Sequence, residues 1–125
     1  MQTNLLALVG RILLALIFVV SGFGKITNIG GTAGYFGSIG LPLPIVTAWL
    51  VALLELLGGL AIVFGFKTRI AALALAAFSI ASGMIAHFDL ADQMQTIMLM
   101  KNTAMAGGLL LLAAYGPGSW SLDRR

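Results

Sequence analysis

The sequence contains no cysteine and a single histidine. Without thiols there is no disulfide, no iron–sulfur cluster and no thiolate metal site, and one imidazole cannot supply bis-histidine haem ligation within one chain. Charge is nearly as scarce: 9% of the 125 residues are Asp, Glu, Lys or Arg, against about 25% in soluble domains. Too few polar groups remain to clothe a water-facing surface. The net charge of +3 does not point to nucleic acid, because the seven cations are spread along apolar segments and form no patch. Phosphate loops, dinucleotide fingerprints and nucleophile motifs are also missing. His87, Asp89 and Asp92 lie close together but have no second nitrogen ligand, so no metal site is expected.

What is present in excess is apolar surface. Hydrophobic residues make up 60% of the chain, and its mean hydropathy is +1.06. A bilayer core of about 30 Å needs roughly 20 apolar residues in helical form. Four segments approach that length, at about 5–25, 43–66, 70–87 and 97–116. Main-chain groups in lipid must be satisfied within the segment, so each is read as a helix. The expected fold is all-α, an integral membrane four-helix bundle in one domain spanning 1–125. The first span lacks a cationic lead and is interrupted by Arg11, which argues against a cleaved signal peptide. Lys67, Arg69, Arg124 and Arg125 fall on one side of the membrane, and Asp89 and Asp92 on the other. The positive-inside rule then makes both termini cytoplasmic. The connection 26–42 faces outward; it is rich in Gly and Pro and carries Tyr35 and Phe36, which suits a short interfacial helix turning at Gly40 and Pro42, or a plain loop.

Each span carries an ionisable or polar group beside small residues. At 100° per residue, Arg11, Phe18, Gly22 and Lys25 share a stripe in the first span. Ala48, Ala52, Glu55 and Gly59 do so in the second, and Ala72, Ala76, Ser79, Gly83 and His87 in the third. In the fourth the stripe is Lys101, Met105 and Gly108, flanked by Asn102 and Ala104. Small residues let membrane helices approach closely, so these faces are expected to turn inward. An unpaired charge at a span centre costs about 2.5–3.5 kcal/mol on insertion scales, and Glu55 therefore needs a partner. Arg11 offers a bidentate fork that stays charged. The expectation is an Arg11–Glu55 pair, with Lys101 and Asn102 completing a buried polar network.

Two cations against one carboxylate leave that network positive, which suits water, an anion or a ligand oxygen in a shared cavity. Lys25, at a helix end, either joins the site or extends to the headgroups. His87, the group that titrates nearest neutral pH, is expected at the outer mouth with Asp89 to orient it. The candidate ligand site is thus Arg11, Glu55, Lys101, Asn102, His87 and Lys25. No catalytic residue is assigned.

The segments GRILLALIFVVSGFGKI, SIGLPLP with ELLGGLAIVFGF, AHF, MKNTAMAGGLLLLAAYGPG and the closing SLDRR, in this order and spacing, resemble the DoxX family of small four-helix inner-membrane proteins. The resemblance covers nearly the whole chain and implies a bacterial inner-membrane location. It also implies a membrane subunit of a redox or detoxification complex, with Arg11, Lys25, Glu55, His87, Lys101 and Asn102 at the family's polar positions. Two functions follow as expectations. One is a quinone-linked oxidoreductase subunit, with quinone as the ligand and a partner subunit supplying electrons. The other is a non-enzymatic scaffold, assembly factor or small-molecule permease. Transport would require a homo-oligomer, since a four-helix monomer leaves little room for alternating access.

Overall fold

The computed structural model of the chain describes residues 2–86 and 90–123. Five helices follow one another: α1 Gln2–Ile26, α2 Ile29–Ser38, α3 Pro44–Phe64, α4 Thr68–Ala86 and α5 Gln93–Tyr115. The four long ones are apolar and long enough to cross a bilayer, and they run alternately up and down. The interfacial segment between the first two spans is the helix α2, started by the Asn28 side chain, which accepts from Gly31 N at 3.2 Å. It ends at a turn where Gly40 takes φ 85°. Pro44 stands at the start of α3, where its missing N–H costs nothing. Asp92 caps α5 by accepting from Met94 N at 2.9 Å.

The outward faces are plainly lipid-facing: Leu6 is 72% exposed and Ile70 68%. Burying such residues inside would gain little in hydrocarbon, so close packing has to hold the bundle together. The chain achieves this with small residues. On α3 the buried residues are Ala48, Ala52, Glu55, Gly59 and Ile62, and on α4 Ala72, Ala76, Ser79 and Gly83 are buried. Both agree with the stripes expected from helical periodicity. A Cβ on Gly22 would stand 2.5 Å from Leu56 N and 2.9 Å from Ala52 O. The α1 and α3 backbones therefore touch at a point where only glycine fits.

On α5 the inward face differs from expectation. The buried residues are Asn102, Ala106, Leu109 and Ala113, whereas Lys101 is exposed. This helix is apolar on nearly every side, so its pattern carries no strong face, and packing against α4 selects Asn102 in place of its charged neighbour.

Helices α1 and α3 form one closely packed pair and α4 and α5 another; α3 and α4 meet more extensively between the pairs than α1 and α5 do. The core of Phe18, Ile62, Leu75 and Leu109 joins the pairs. At the end of the bundle that holds α2, Phe36 and Ala33 pack on Ala48 of α3. This covers one mouth of the space between the pairs.

Candidate functional site

The polar side chains gather in two separate places. The first lies at the end of the bundle shared by the chain termini. Arg11 is 3% exposed, and its guanidinium donates to main-chain carbonyls and not to Glu55. Nε reaches Ile62 O at 3.0 Å, Nη2 reaches Val63 O at 3.0 Å, and Nη1 reaches Pro117 O at 2.6 Å. Trp120 O accepts from both Nη1 and Nη2 at 3.2 Å. The expected Arg11–Glu55 pair is thus corrected. The last carbonyls of a helix lack intrahelical partners and carry its negative dipole end. Arg11 satisfies two of them on α3 and binds the returning C-terminal segment with its remaining donors.

That segment completes the same end. After the turn at Gly116–Pro117–Gly118 it folds back, so that Leu122 N donates to Phe64 O at 3.0 Å and Asp123 N to Gly65 O at 2.8 Å. Gly65 takes φ 67° and closes α3 with Phe66 N bonded to Ala61 O at 2.8 Å. The Asp123 carboxylate accepts from Lys67 N at 2.9 Å and Thr68 N at 2.8 Å. A residue 55 positions away therefore caps α4, and it holds Lys67 at φ 46°. The sequence offered one signal for this arrangement: a Gly-Pro-Gly run directly after the last span, which turns the chain back onto the bundle.

The second place is a cleft of about 410 Å³ bordered by residues from all five helices. Its walls are apolar, with the rings of Phe18, Tyr35, Phe36 and Phe78 among them. Its polar groups include Lys25, Glu55, Lys101, Asn102, Ser79 and Ser82, with the hydroxyls of Ser21, Thr47 and Tyr35 on residues that also border it. Glu55, 5% exposed, accepts from Lys25 Nζ through Oε1 at 2.5 Å. The exposures of the two side chains, 7% and 25%, put Lys25 at the wetter end of the pair. Gly22 makes this pair possible, because its contact with Ala52 and Leu56 brings α1 against the turn of α3 that carries Glu55. Lys25 is thus drawn into the site and does not simply extend to the headgroups.

Asn102, buried, donates from Nδ2 to Ser79 O at 3.1 Å and to Ser82 Oγ at 3.3 Å, tying α5 to α4. Lys101 borders the cleft from the exposed side; its Nζ meets the Met98 thioether at 3.4 Å. The expected network is therefore divided. Glu55, Lys25, Lys101 and Asn102 share the cleft, Arg11 belongs to the opposite end, and His87 with Asp89 lies outside the described residues. The aromatic walls were missed from the sequence, because α2 supplies two of the four rings and its docking depends on tertiary packing.

A family model for DoxX matches residues 6–88. The chain belongs to the DoxX family. Among curated relatives, it is 46% identical over 120 residues to Inner membrane protein YqjF of Escherichia coli K12, covering 94% of this chain and 88% of the relative. It is 37% identical over 125 residues to Inner membrane protein YphA of the same organism, with 96% and 89% covered. A shorter match, 43% identical over 60 residues, is to a Bacillus subtilis protein named Putative oxidoreductase CatD, and covers 48% of this chain and 43% of that one. No solved structure matches the chain. With four spans and these relatives, this DoxX protein is a multi-pass protein of the inner membrane, in contact with the lipid bilayer.

Proposed function

We propose that this DoxX protein is the membrane subunit of a quinone-linked oxidoreductase, with the cleft between its helix pairs as the quinone site and both termini cytoplasmic. The observation that carries the reading is the cleft itself. At about 410 Å³ it falls in the range of small-molecule sites, about 300–1,000 Å³, which pair apolar walls with a few placed polar groups. A quinone is a flat apolar ring with carbonyl oxygens and carries two electrons and two protons. Phe18, Phe36 and Phe78 offer faces for the ring, and Lys101 and Ser79 are donors for a carbonyl oxygen. Glu55, held by Lys25 at 2.5 Å, is the group through which a proton reaches or leaves the cleft. The sequence holds no cysteine and one histidine, so electrons arrive from a partner subunit. The name of the B. subtilis relative supports the redox reading. Orientation rests on Lys67 and Arg69 at the terminal end and Asp92 at the other; a C-terminal periplasmic reporter fusion is expected to stay inactive.

The test is thermal stability of the detergent-purified chain with a short-chain ubiquinone or menaquinone analogue. At about 100 times its dissociation constant, a ligand adds about 2.7 kcal/mol. Ala81→Trp, which fills the rim from an exposed position, is expected to fold and to lose this stabilisation. Glu55→Gln keeps an acceptor for Lys25 but no exchangeable carboxyl proton, so it retains binding and loses turnover in the assembled complex. If no analogue stabilises the wild type, the quinone reading fails. The scaffold reading then gains from the opposite end of the bundle, where Arg11 serves only to bind helix and tail carbonyls.

A further inference from the structure

The polar groups of the cleft are unequal in sign and in hydrogen-bonding kind. Two ammonium groups, Lys25 and Lys101, face one carboxylate among the described residues that border it. That carboxylate is already engaged by Lys25. Lys101 has no carboxylate within ion-pair distance among the described residues, and a thioether sulfur, a weak acceptor, is its contact. Ser79, 1% exposed, has a buried hydroxyl with no hydrogen-bond partner, although a buried polar group normally has one. Asn102 spends its amide donors on α4. What the cleft offers a ligand is therefore the ammonium of Lys101 and hydroxyls, with that of Ser79 buried and without a partner, against an apolar wall. A ligand that completes this set brings acceptors and a negative charge on a flat apolar body.

From this imbalance we infer that the cleft prefers a lipid-soluble acid, a ring bearing an ionised oxygen, over a neutral ring of the same shape, with Lys101 as the residue that recognises the charge. The inference rests on the quinone reading of the cleft and sharpens it from carbonyl compounds in general to their ionised hydroxy forms. Lys101 suits the role because it stands at the exposed rim, where it meets an incoming anion before Glu55 does. The Lys25–Glu55 pair, nearly neutral as a unit, lies deeper and does not repel it.

The experiment compares 2-hydroxy-1,4-naphthoquinone, ionised at neutral pH, with its 2-methoxy counterpart, which cannot ionise. Equilibrium binding to the purified full chain is measured for wild type, Lys101→Gln and Lys67→Gln, the last a lysine remote from the cleft. A charge-assisted hydrogen bond predicts about tenfold tighter binding of the hydroxy compound by the wild type. Lys101→Gln, which keeps a neutral N–H donor for a carbonyl, is expected to remove the difference by weakening the hydroxy compound more than the methoxy compound, while Lys67→Gln changes neither. Equal binding of the two compounds by the wild type overturns the inference and leaves the quinone site intact. Loss of the difference in Lys67→Gln as well assigns it to the overall charge of the chain, which also overturns it. If neither compound binds, the inference and the quinone reading fall together.

Discussion

Arg11→Met isolates what the buried guanidinium does, because Met fills much of the same space with no donors. Four carbonyls, those of Ile62, Val63, Pro117 and Trp120, lose their arginine partner. Leaving a buried acceptor unmet costs about 1–3 kcal/mol. Ile62 O also accepts from Gly65 N at 3.2 Å, and the Trp120 and Val63 bonds are only part-buried, so the four do not count in full. A loss of about 3–5 kcal/mol is expected, similar to breaking a buried ion pair from one side. Arg11→Lys should recover less than half of it, since a point ammonium on a shorter stem cannot span carbonyls from α3 and from the tail together. The assay is a reversible SDS titration in mixed micelles, followed by Trp120 fluorescence in a Trp49→Phe background and by protease access to residues 116–123. Arg11→Met should expose that segment before the bundle opens. If the variant lies within about 1 kcal/mol of wild type and the tail stays protected, water satisfies these carbonyls and the clamp argument is wrong.

At the α1–α3 crossing, Gly22→Ala places a methyl 2.5 Å from Leu56 N and should cost about 1–3 kcal/mol through forced separation of the helices. Gly24→Ala, whose new methyl meets open space, should stay within about 1 kcal/mol of wild type; equal behaviour of the two in the SDS titration would refute the close-approach account. Asp123→Ala removes the acceptor for Lys67 N and Thr68 N and should cost about 1–2 kcal/mol, with faster hydrogen exchange at those two amides and none at the α5 cap.

Hydropathy and helical period were enough to read four spans and the inward faces of α1, α3 and α4. Those faces are legible because small residues concentrate on one side: Ala48, Ala52 and Gly59 frame Glu55, and Ala72, Ala76 and Gly83 frame Ser79. The same reasoning misjudged α5. There the charge of Lys101 suggested an inward face, but a span that is apolar all round can dock on any side, and Asn102 took the interior. Depth along the bundle proved a poor guide to pairing. Arg11 and Glu55 lie on inward faces of neighbouring helices, yet Arg11 reaches the last carbonyls of α3, those of Ile62 and Val63, instead of Glu55.

From the sequence alone, the solvent, the number of spans and the set of polar residues follow, because bilayer thickness and main-chain hydrogen bonding act on every segment separately; between the first two spans it left a short helix and a plain loop both open. Which polar groups meet was decided only by the tertiary structure. The Gly22 contact draws Lys25 to Glu55, the returning tail claims Arg11 and caps α4, and α2 closes its aromatic rings over the cleft. Each of these joins residues far apart in the chain, from 30 positions for Lys25 and Glu55 to 109 for Arg11 and Trp120. Such contacts depend on the angle and spacing at which whole helices pack, and no local pattern of residues carries that information.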